Sequence, residues 1–346
     1  MQLFYALLVG LCALTCAAPR SDRVFVPDAE KQRGAHLFAR LDGGDLAELD
    51  TFHLEWITLV PWAYQQDWNS SDPRHHRGDS TEILRRDSAW IARIGRLRAA
   101  GYRVFVKPHL WITDPSEGSW RAEVFPDDWT AWSAGYRDFI LRYARLAAAA
   151  GAEQFCVGTE LTRVSGERPE FWRSLVAEVR TIYPGKLTYA ANWYREFEQI
   201  TFWETLDYIG VQAYFPLTER EHPDVGELER GWQPHLRALA AVAQQHDRPL
   251  LFTELGYKST PDAAIRPWEW MEHQPTLPDA APDTQSNCYR AFFTTVWDQP
   301  WFAGVHLWQL RGPQRRGDPS DDRNFTPQGK PATAVIARGF AHEPRE

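Results

Sequence analysis

This sequence has no run of basic residues, no cysteine framework and no nucleotide-binding glycine turn, and each absence removes a class of function. The net charge is −8, so there is no basic footprint for nucleic acid or another polyanion. Only four cysteines occur in 346 residues. Two of them, Cys156 and Cys288, fall on an expected core strand and an expected helix, where they read as buried thiols rather than a disulfide scaffold. No Cys/His cluster has zinc-site spacing. The pair His75-His76 stands in a polar loop with acids for neighbours and reads as a solvated segment. No Gly-x-Gly-x-x-Gly turn or phosphate loop follows any strand-like run. Gly/Ser linkers, charge blocks and low-complexity runs are also missing, which favours a single domain over two.

The N-terminus lacks Lys and Arg in its first five residues but carries an apolar stretch over residues 3–16, followed by Ala17-Ala18-Pro19-Arg20. The stretch is too short to span a bilayer and has the form of a signal-peptide core. Residues 1–18 are read as a signal peptide, 19–32 as an extension, 33–338 as the folded domain and 339–346 as a tail. Export to the periplasm or the outside is the expectation, with no transmembrane span. Ala13-Leu14-Thr15-Cys16 loosely matches a lipoprotein box, so a lipid anchor through Cys16 stays open as the alternative.

What the sequence does hold is a regular alternation. Strand-like runs fall at residues 34–39, 56–61, 102–106, 154–158, 186–190, 208–213, 249–253 and 304–308. Helical patterns fall at 46–52, 81–100, 129–150, 169–183, 226–245 and 284–297. Gly101 and Gly151 stop two of these helices and Pro169 opens another. Residues 62–66 are expected to be loop, and a long polar excursion follows them. Eight strands alternating with helices or helix-length inserts predict one α/β domain, a (β/α)8 barrel, whose chemistry gathers at the carboxyl ends of the strands. Those ends carry Trp62 and Gln66; Lys107, His109 and Trp111; Glu160; Asn192 and Trp193; Gln212 and Tyr214; Glu254; and His306 and Trp308.

Two of these ends, Phe155-Cys156-Val157-Gly158-Thr159-Glu160 and Leu250-Leu251-Phe252-Thr253-Glu254, close apolar runs with a glutamate. A pair of carboxyls is what cleavage of a glycosidic bond needs, one protonating the leaving oxygen while the other attacks or steadies the sugar cation. Tryptophan is abundant, with 17 copies, and indole rings suit the apolar faces of sugars as well as protein cores.

Glutamates closing the fourth and seventh strands are the arrangement of the clan A glycoside hydrolases, and within that clan the chain resembles glycoside hydrolase family 113. The resemblance rests on Pro61-Trp62-Ala63-Tyr64-Gln65, Val106-Lys107-Pro108-His109-Leu110-Trp111, Val157-Gly158-Thr159-Glu160-Leu161, Gln212-Ala213-Tyr214-Phe215-Pro216, Phe252-Thr253-Glu254-Leu255-Gly256-Tyr257 and Phe325-Thr326-Pro327-Gln328-Gly329-Lys330-Pro331. It runs over about residues 33 to 338. It implies a barrel, a retaining mechanism, no cofactor, and action chiefly on β-1,4-mannan, with an oligo- or polysaccharide as the partner. Glu160 is then the acid/base and Glu254 the nucleophile, with the Tyr214 hydroxyl donating to Glu254. Trp308 forms the floor under the sugar, and Trp62, Trp111 and Trp193 line flanking subsites. His109, Asn192, Gln66 and Gln212 are the candidate polar contacts to substrate. Many clan A enzymes place Asn before the acid/base, where this chain has Thr159, so reading the sugar 2-hydroxyl falls to another group such as Asn192. The clan's arginine beside the nucleophile has Arg40 as its candidate here, and Lys107 reads equally as a substrate contact or a barrel-end salt bridge. Another β-glycan, such as xylan or glucan, and a sugar-binding protein without turnover remain as alternatives.

Overall fold

The computed structural model describes residues 24–39, 41, 46–75, 79–270, 277–312, 318–319 and 321–341. The expected signal peptide, Cys16, Arg40 and His76 lie outside the described residues. Ten strands are present among them: β1 (Gln32–Phe38), β2 (Trp56–Leu59), β3 (Trp62–Gln65), β4 (Arg103–Val106), β5 (His109–Ile112), β6 (Gln154–Thr159), β7 (Lys186–Asn192), β8 (Tyr208–Gln212), β9 (Leu250–Leu255) and β10 (Phe302–Arg311). Eight of them close a barrel in the order β1-β10-β9-β8-β7-β6-β4-β2, and all its pairings are parallel. With the helices that alternate with the strands, this is the expected (β/α)8 barrel.

The helices are α1 (Ser80–Ala99), α2 (Trp129–Ala150), α3 (Thr162–Glu167), α4 (Pro169–Ile182), α5 (Glu196–Gln199), α6 (Val225–His246), α7 (Pro282–Thr295) and α8 (Pro331–Phe340). Local chemistry sets many of their ends. Asp79 and Asp128 accept backbone N–H groups at the starts of α1 and α2, and Gly151 ends α2 with φ 74° in the left-handed region, which a residue without Cβ enters freely. The helix expected at 46–52 is instead a turn and a single 3-10 turn, Leu49–Phe52. His53, at φ 51°, breaks it after four residues, too few to sustain an α-helix. At the other end of the chain α8 runs through Phe340, past the expected limit of the domain. The Phe340 side chain is buried, and its carbonyl accepts from Arg33 Nε at 2.8 Å.

The segment expected to be loop after the second strand is the strand β3, which pairs with β5 to form a two-stranded sheet on the barrel rim. Pro61 and Pro108 stand at the joints where β2 and β4 give way to β3 and β5. Proline has no N–H to give to a ladder, so the barrel pairing is interrupted there. It resumes at once, with His109 N donating to the Pro61 carbonyl at 2.9 Å. The two strands thereby carry Trp62, His109 and Trp111 above the barrel proper.

Most large aromatics belong to the layer between sheet and helices. Trp132, Trp172, Trp203, Trp232 and Trp297 are fully buried. The two thiols, Cys156 and Cys288, are free and buried as expected. The barrel interior contains a polar layer. His306 bonds through Nε2 to Gln32 Oε1 and through Nδ1 to Thr58 Oγ1, each at 2.7 Å, and Gln32 Nε2 reaches Gln154 Oε1 at 2.8 Å. An amide oxygen only accepts, so His306 carries its proton on Nε2 and accepts from Thr58 at Nδ1. His306 was expected on the rim. It lies in register with Gly34 of β1, which leaves room for its ring, and it is a core residue.

Candidate active site

Glu254 enters the site from the penultimate position of β9, with 3 % exposure. Two side chains from just past the ends of other strands converge on it. The Tyr214 hydroxyl, two residues past the end of β8, donates to Glu254 Oε2 at 2.7 Å. Lys107, just past β4 and fully buried, donates its ammonium to Glu254 Oε1, to Gln212 Oε1 at 2.8 Å and to His109 Nε2 at 3.0 Å. Gln212 Oε1 also accepts from Thr253 Oγ1 at 3.1 Å. Burial pulls the Lys107 ammonium below the ordinary lysine value, and the Glu254 carboxylate opposes that pull. Burial pushes the Tyr214 hydroxyl well above its usual value, with the charge of Glu254 adding to the effect, so it remains a donor.

His36 and His109 approach Glu254 Oε1 at 3.7 and 3.5 Å, distances at which charged rings would form ion pairs. They do not, because burial and then Lys107 push both rings well below the usual histidine value and leave them neutral. Lys107 can only donate, so His109 accepts at Nε2 and carries its proton on Nδ1. That Nδ1 is buried and has no hydrogen-bond partner among the described residues, and His109 lines the cleft.

Glu160 follows β6 directly, with φ 52° and 4 % exposure. A non-glycine residue in the left-handed region is strained and persists only where neighbours hold it. Here its own N–H donates to the Ala190 carbonyl at 2.9 Å, and the next N–H, from Leu161, donates to the Tyr189 hydroxyl at 2.9 Å. Its carboxyl is also engaged on both oxygens. Asn192 Nδ2 donates to Oε1 at 2.9 Å, while Arg121 donates to Oε2 through Nε at 3.1 Å and Nη2 at 2.8 Å. Behind this group lies Glu196, 1 % exposed, whose carboxylate accepts from Asn192 N, Tyr189 OH and Ser165 Oγ at 2.6 to 2.7 Å.

Both glutamates open into one cleft of about 1000 Å³. It takes in nine of the eleven residues expected from sequence: Glu160, Glu254, Tyr214, Trp62, His109, Trp111, Asn192, Trp193 and Trp308. Trp308 lies nearly parallel to His109, with ring centroids 6.3 Å apart, and edge-on to His36 and Trp270. Two expected contacts are corrected. Gln212 is fully buried beneath Glu254, where Lys107 and Thr253 occupy its oxygen, and it supports the site without lining it. Gln66 stands one residue past the end of β3, exposed and off the cleft wall, and its carbonyl accepts from Asp114 N at 2.8 Å. Thr159 turns away from the cleft to the Pro108 carbonyl at 3.2 Å. The ambiguity over Lys107 resolves to the salt bridge. His75 bonds to Asp138 at 2.9 Å, and no group of three or more His, Cys, Asp or Glu side chains able to hold a metal occurs among the described residues.

Sequence reasoning missed Arg121, Glu196, Trp120, Tyr194, Trp268 and Trp270. Five of these line the cleft, and Glu196 lies under it. Loops, the 3-10 turn Arg121–Glu123 and the four-residue helix α5 supply them. The available signal was the pair of tryptophans, Trp268 and Trp270, in the long insertion after β9.

The model of Glycoside Hydrolase Family 113 matches residues 33–330. A search of the curated proteins returned no match. Among solved structures, a family 113 β-mannanase from Alicyclobacillus acidocaldarius, in complex with ManMIm, is 28% identical with a TM-score of 0.72, and the alignment covers 90% of this chain and 97% of that one. A complex of a family 113 β-1,4-mannanase is 24% identical with a TM-score of 0.74, over 91% and 100% of the two chains. The fold also extends to a β-glucuronidase from Ruminococcus gnavus, at 13% identity and a TM-score of 0.57, where it covers 90% of this chain and 50% of the other.

Proposed function

The chain belongs to glycoside hydrolase family 113, and from that premise we propose that it is a retaining β-mannanase in which Glu254 is the nucleophile and Glu160 the acid/base. The observation that carries the reading is the asymmetry between the two carboxyls in one cleft. Glu254 is met on one oxygen by an ammonium and on the other by a phenol, donors that hold an ionised carboxylate in a fixed orientation. Glu160 lines the same cleft with an amide on one oxygen and a partly exposed arginine on the other.

In the first step Glu254 attacks the anomeric carbon and the C–O bond to the leaving sugar breaks, with the proton passing from Glu160 to the departing oxygen. In the second, Glu160 takes a proton from water as that water attacks the glycosyl ester, and Glu254 departs. Arg121 can only donate, so its contact is made with a Glu160 oxygen that bears no proton. Asn192 donates to the other oxygen, so both oxygens accept, as the second step needs, and one of the two contacts has to loosen for the first. His109 Nδ1–H, fixed as a donor by Lys107, is placed to hold a hydroxyl of the sugar in the cleft, and Trp308 supplies the apolar floor. Preference for mannan is supported by the family and by the β-mannanase that shares 28% identity.

The test is incubation of the purified chain and its Glu254→Ala variant with mannan, xylan, β-glucan and cello-oligosaccharides, scoring product sizes and the anomer released. Cleavage of mannan by the parent alone, with retained configuration, is the expected result. An inverted anomer, or equal turnover by the variant, sinks the mechanism. Binding of a glycan without turnover of any points instead to a sugar-binding protein.

A further inference from the structure

Glu196 is a buried carboxylate that the double-displacement chemistry does not use. It opens the short helix α5, four residues after Asn192, and forms no ion pair among the described residues. Hydroxyls and one amide surround it. Ser165 Oγ, from α3, and Tyr189 OH, from β7, both reach Oε1 at 2.7 Å, and Asn192 N reaches Oε2 at 2.6 Å. Desolvating a carboxylate without a cation is costly, so the position calls for an account.

Its partners supply one. The Tyr189 hydroxyl that donates to Glu196 also accepts the Leu161 N–H, and Leu161 follows Glu160, the residue with strained backbone. The Asn192 N–H bound to Glu196 belongs to the residue whose side-chain amide grips Glu160 Oε1. One carboxylate therefore fixes the peptide unit just after Glu160 and the peptide unit of the side chain that orients it. We propose that Glu196 is a positioning residue for the acid/base, setting the direction in which Glu160 delivers and recovers its proton. This rests on the assignment of Glu160 above.

Above about pH 7, where Glu196 is ionised and accepts on both oxygens, Glu196→Gln replaces one acceptor by an N–H donor, so at that pH one of the two sides of the clamp loses its partner while the volume is kept. The effect must then depend on how much the reaction needs proton donation. Two substrates separate the cases: the oligosaccharide the parent cleaves best, and a 2,4-dinitrophenyl glycoside of the same sugar, whose leaving group departs without protonation. The rate of glycosylation is read from single turnover on the first and from the dinitrophenolate burst on the second. On the oligosaccharide, Glu196→Gln should lose about 10²-fold in that rate with KM within about threefold, the size expected for a misplaced reacting group. The burst should stay within about threefold of the parent. Equal loss on both substrates, or none on either, overturns the proposal.

Glu160→Ala, run on the same pair, separates this outcome from failure of the underlying assignment. It must show the same leaving-group dependence more strongly, and if it shows none the acid/base reading falls and the Glu196 proposal with it. Should Glu196→Gln not fold, Tyr189→Phe breaks the link to Leu161 with Glu196 in place. It should give the same selective loss, smaller in size, and a uniform effect on both substrates counts against the clamp.

Discussion

Lys107 shows how much of this site depends on single side chains. A fully buried ammonium is tolerated because Glu254, Gln212 and His109 take its three protons. Lys107→Met keeps the length and removes the charge, leaving the Glu254 carboxylate buried beside two neutral rings. Breaking one side of a buried pair costs about 3 kcal/mol or more, and loss of a preorganised donor costs about 10²-fold or more in turnover. Urea unfolding and kcat on the best glycan measure the two effects, and a variant within threefold of the parent in kcat would show that Tyr214 alone suffices. Glu196 gives a pH signature of its own. Burial first, and then the charge of Glu160, push its carboxyl from 4.5 up to about 7, while the bonds from Asn192 N, Tyr189 and Ser165 pull it back. Between those values the folded protein keeps a proton that the unfolded chain has released. The stability this group contributes is complete below 4.5 and is lost as pH rises through about 7, a fall of about 3 kcal/mol. Glu196→Gln lacks the titration, so the stability of the parent relative to the variant should drop by that amount across the window. A difference that is flat with pH would place the Glu196 titration elsewhere.

At the scale of elements, the site depends on how closely α4 lies against β6. A Cβ on Gly158 would stand 2.6 Å from Trp172 Cη2 and 2.7 Å from Tyr189 Cε2, and both rings are fully buried. Neither can swing away, so Gly158→Ala should destabilise the fold by about 2 kcal/mol and lower turnover as well, since Glu160 is two residues on. A thermal midpoint equal to that of the parent would show that the helix yields. Helices of this length were legible in the sequence because their caps and periodicity are local: Asp128 and Gly151 bound α2 without reference to the rest of the chain. The barrel strands were legible for the same reason, as short apolar runs. The strands β3 and β5 were not, because Pro61 and Pro108 look like strand breakers and the pairing that makes these segments strands is with each other. Glu160 and Glu254 could be found because each closes its own strand. Arg121 and Glu196 could not, since their roles come from contacts with Glu160, Tyr189 and Asn192 that no local spacing reports, and Gln212 was misplaced because strand position does not reveal that Lys107 already holds its oxygen.

At the scale of the molecule, the barrel order fixes where the aromatic walls of the cleft stand. The strands β2 and β4 lie across the ring from β8 and β9. Trp62 and Trp111, carried on β3 and β5 above the first pair, pack edge to face with centroids 5.8 Å apart. On the far side Trp268, in the insertion after β9, stacks on Trp193 at 5.0 Å. Trp111 and Trp268 are 47 % and 41 % exposed, which is unusual for rings of this size unless a ligand covers them. Both glutamates line the same cleft as the two walls, so a sugar chain laid from one wall to the other would meet an aromatic platform on each side of the bond to be cut. That geometry predicts attack within a chain rather than trimming from one end, and it assigns each wall a direction. Trp268→Ala should raise KM about fivefold for a long oligosaccharide, the equivalent of about 1 kcal/mol of lost ring contact, and should leave a substrate too short to reach that wall unchanged. It should also move the preferred cut toward the end of the chain that the remaining wall still grips, and Trp111→Ala should move it the opposite way. Product sizes from an end-labelled oligosaccharide read both shifts directly. If the two variants move the cut in the same direction, or leave it in place, the platforms do not flank the point of cleavage and the mouth is open on one side only.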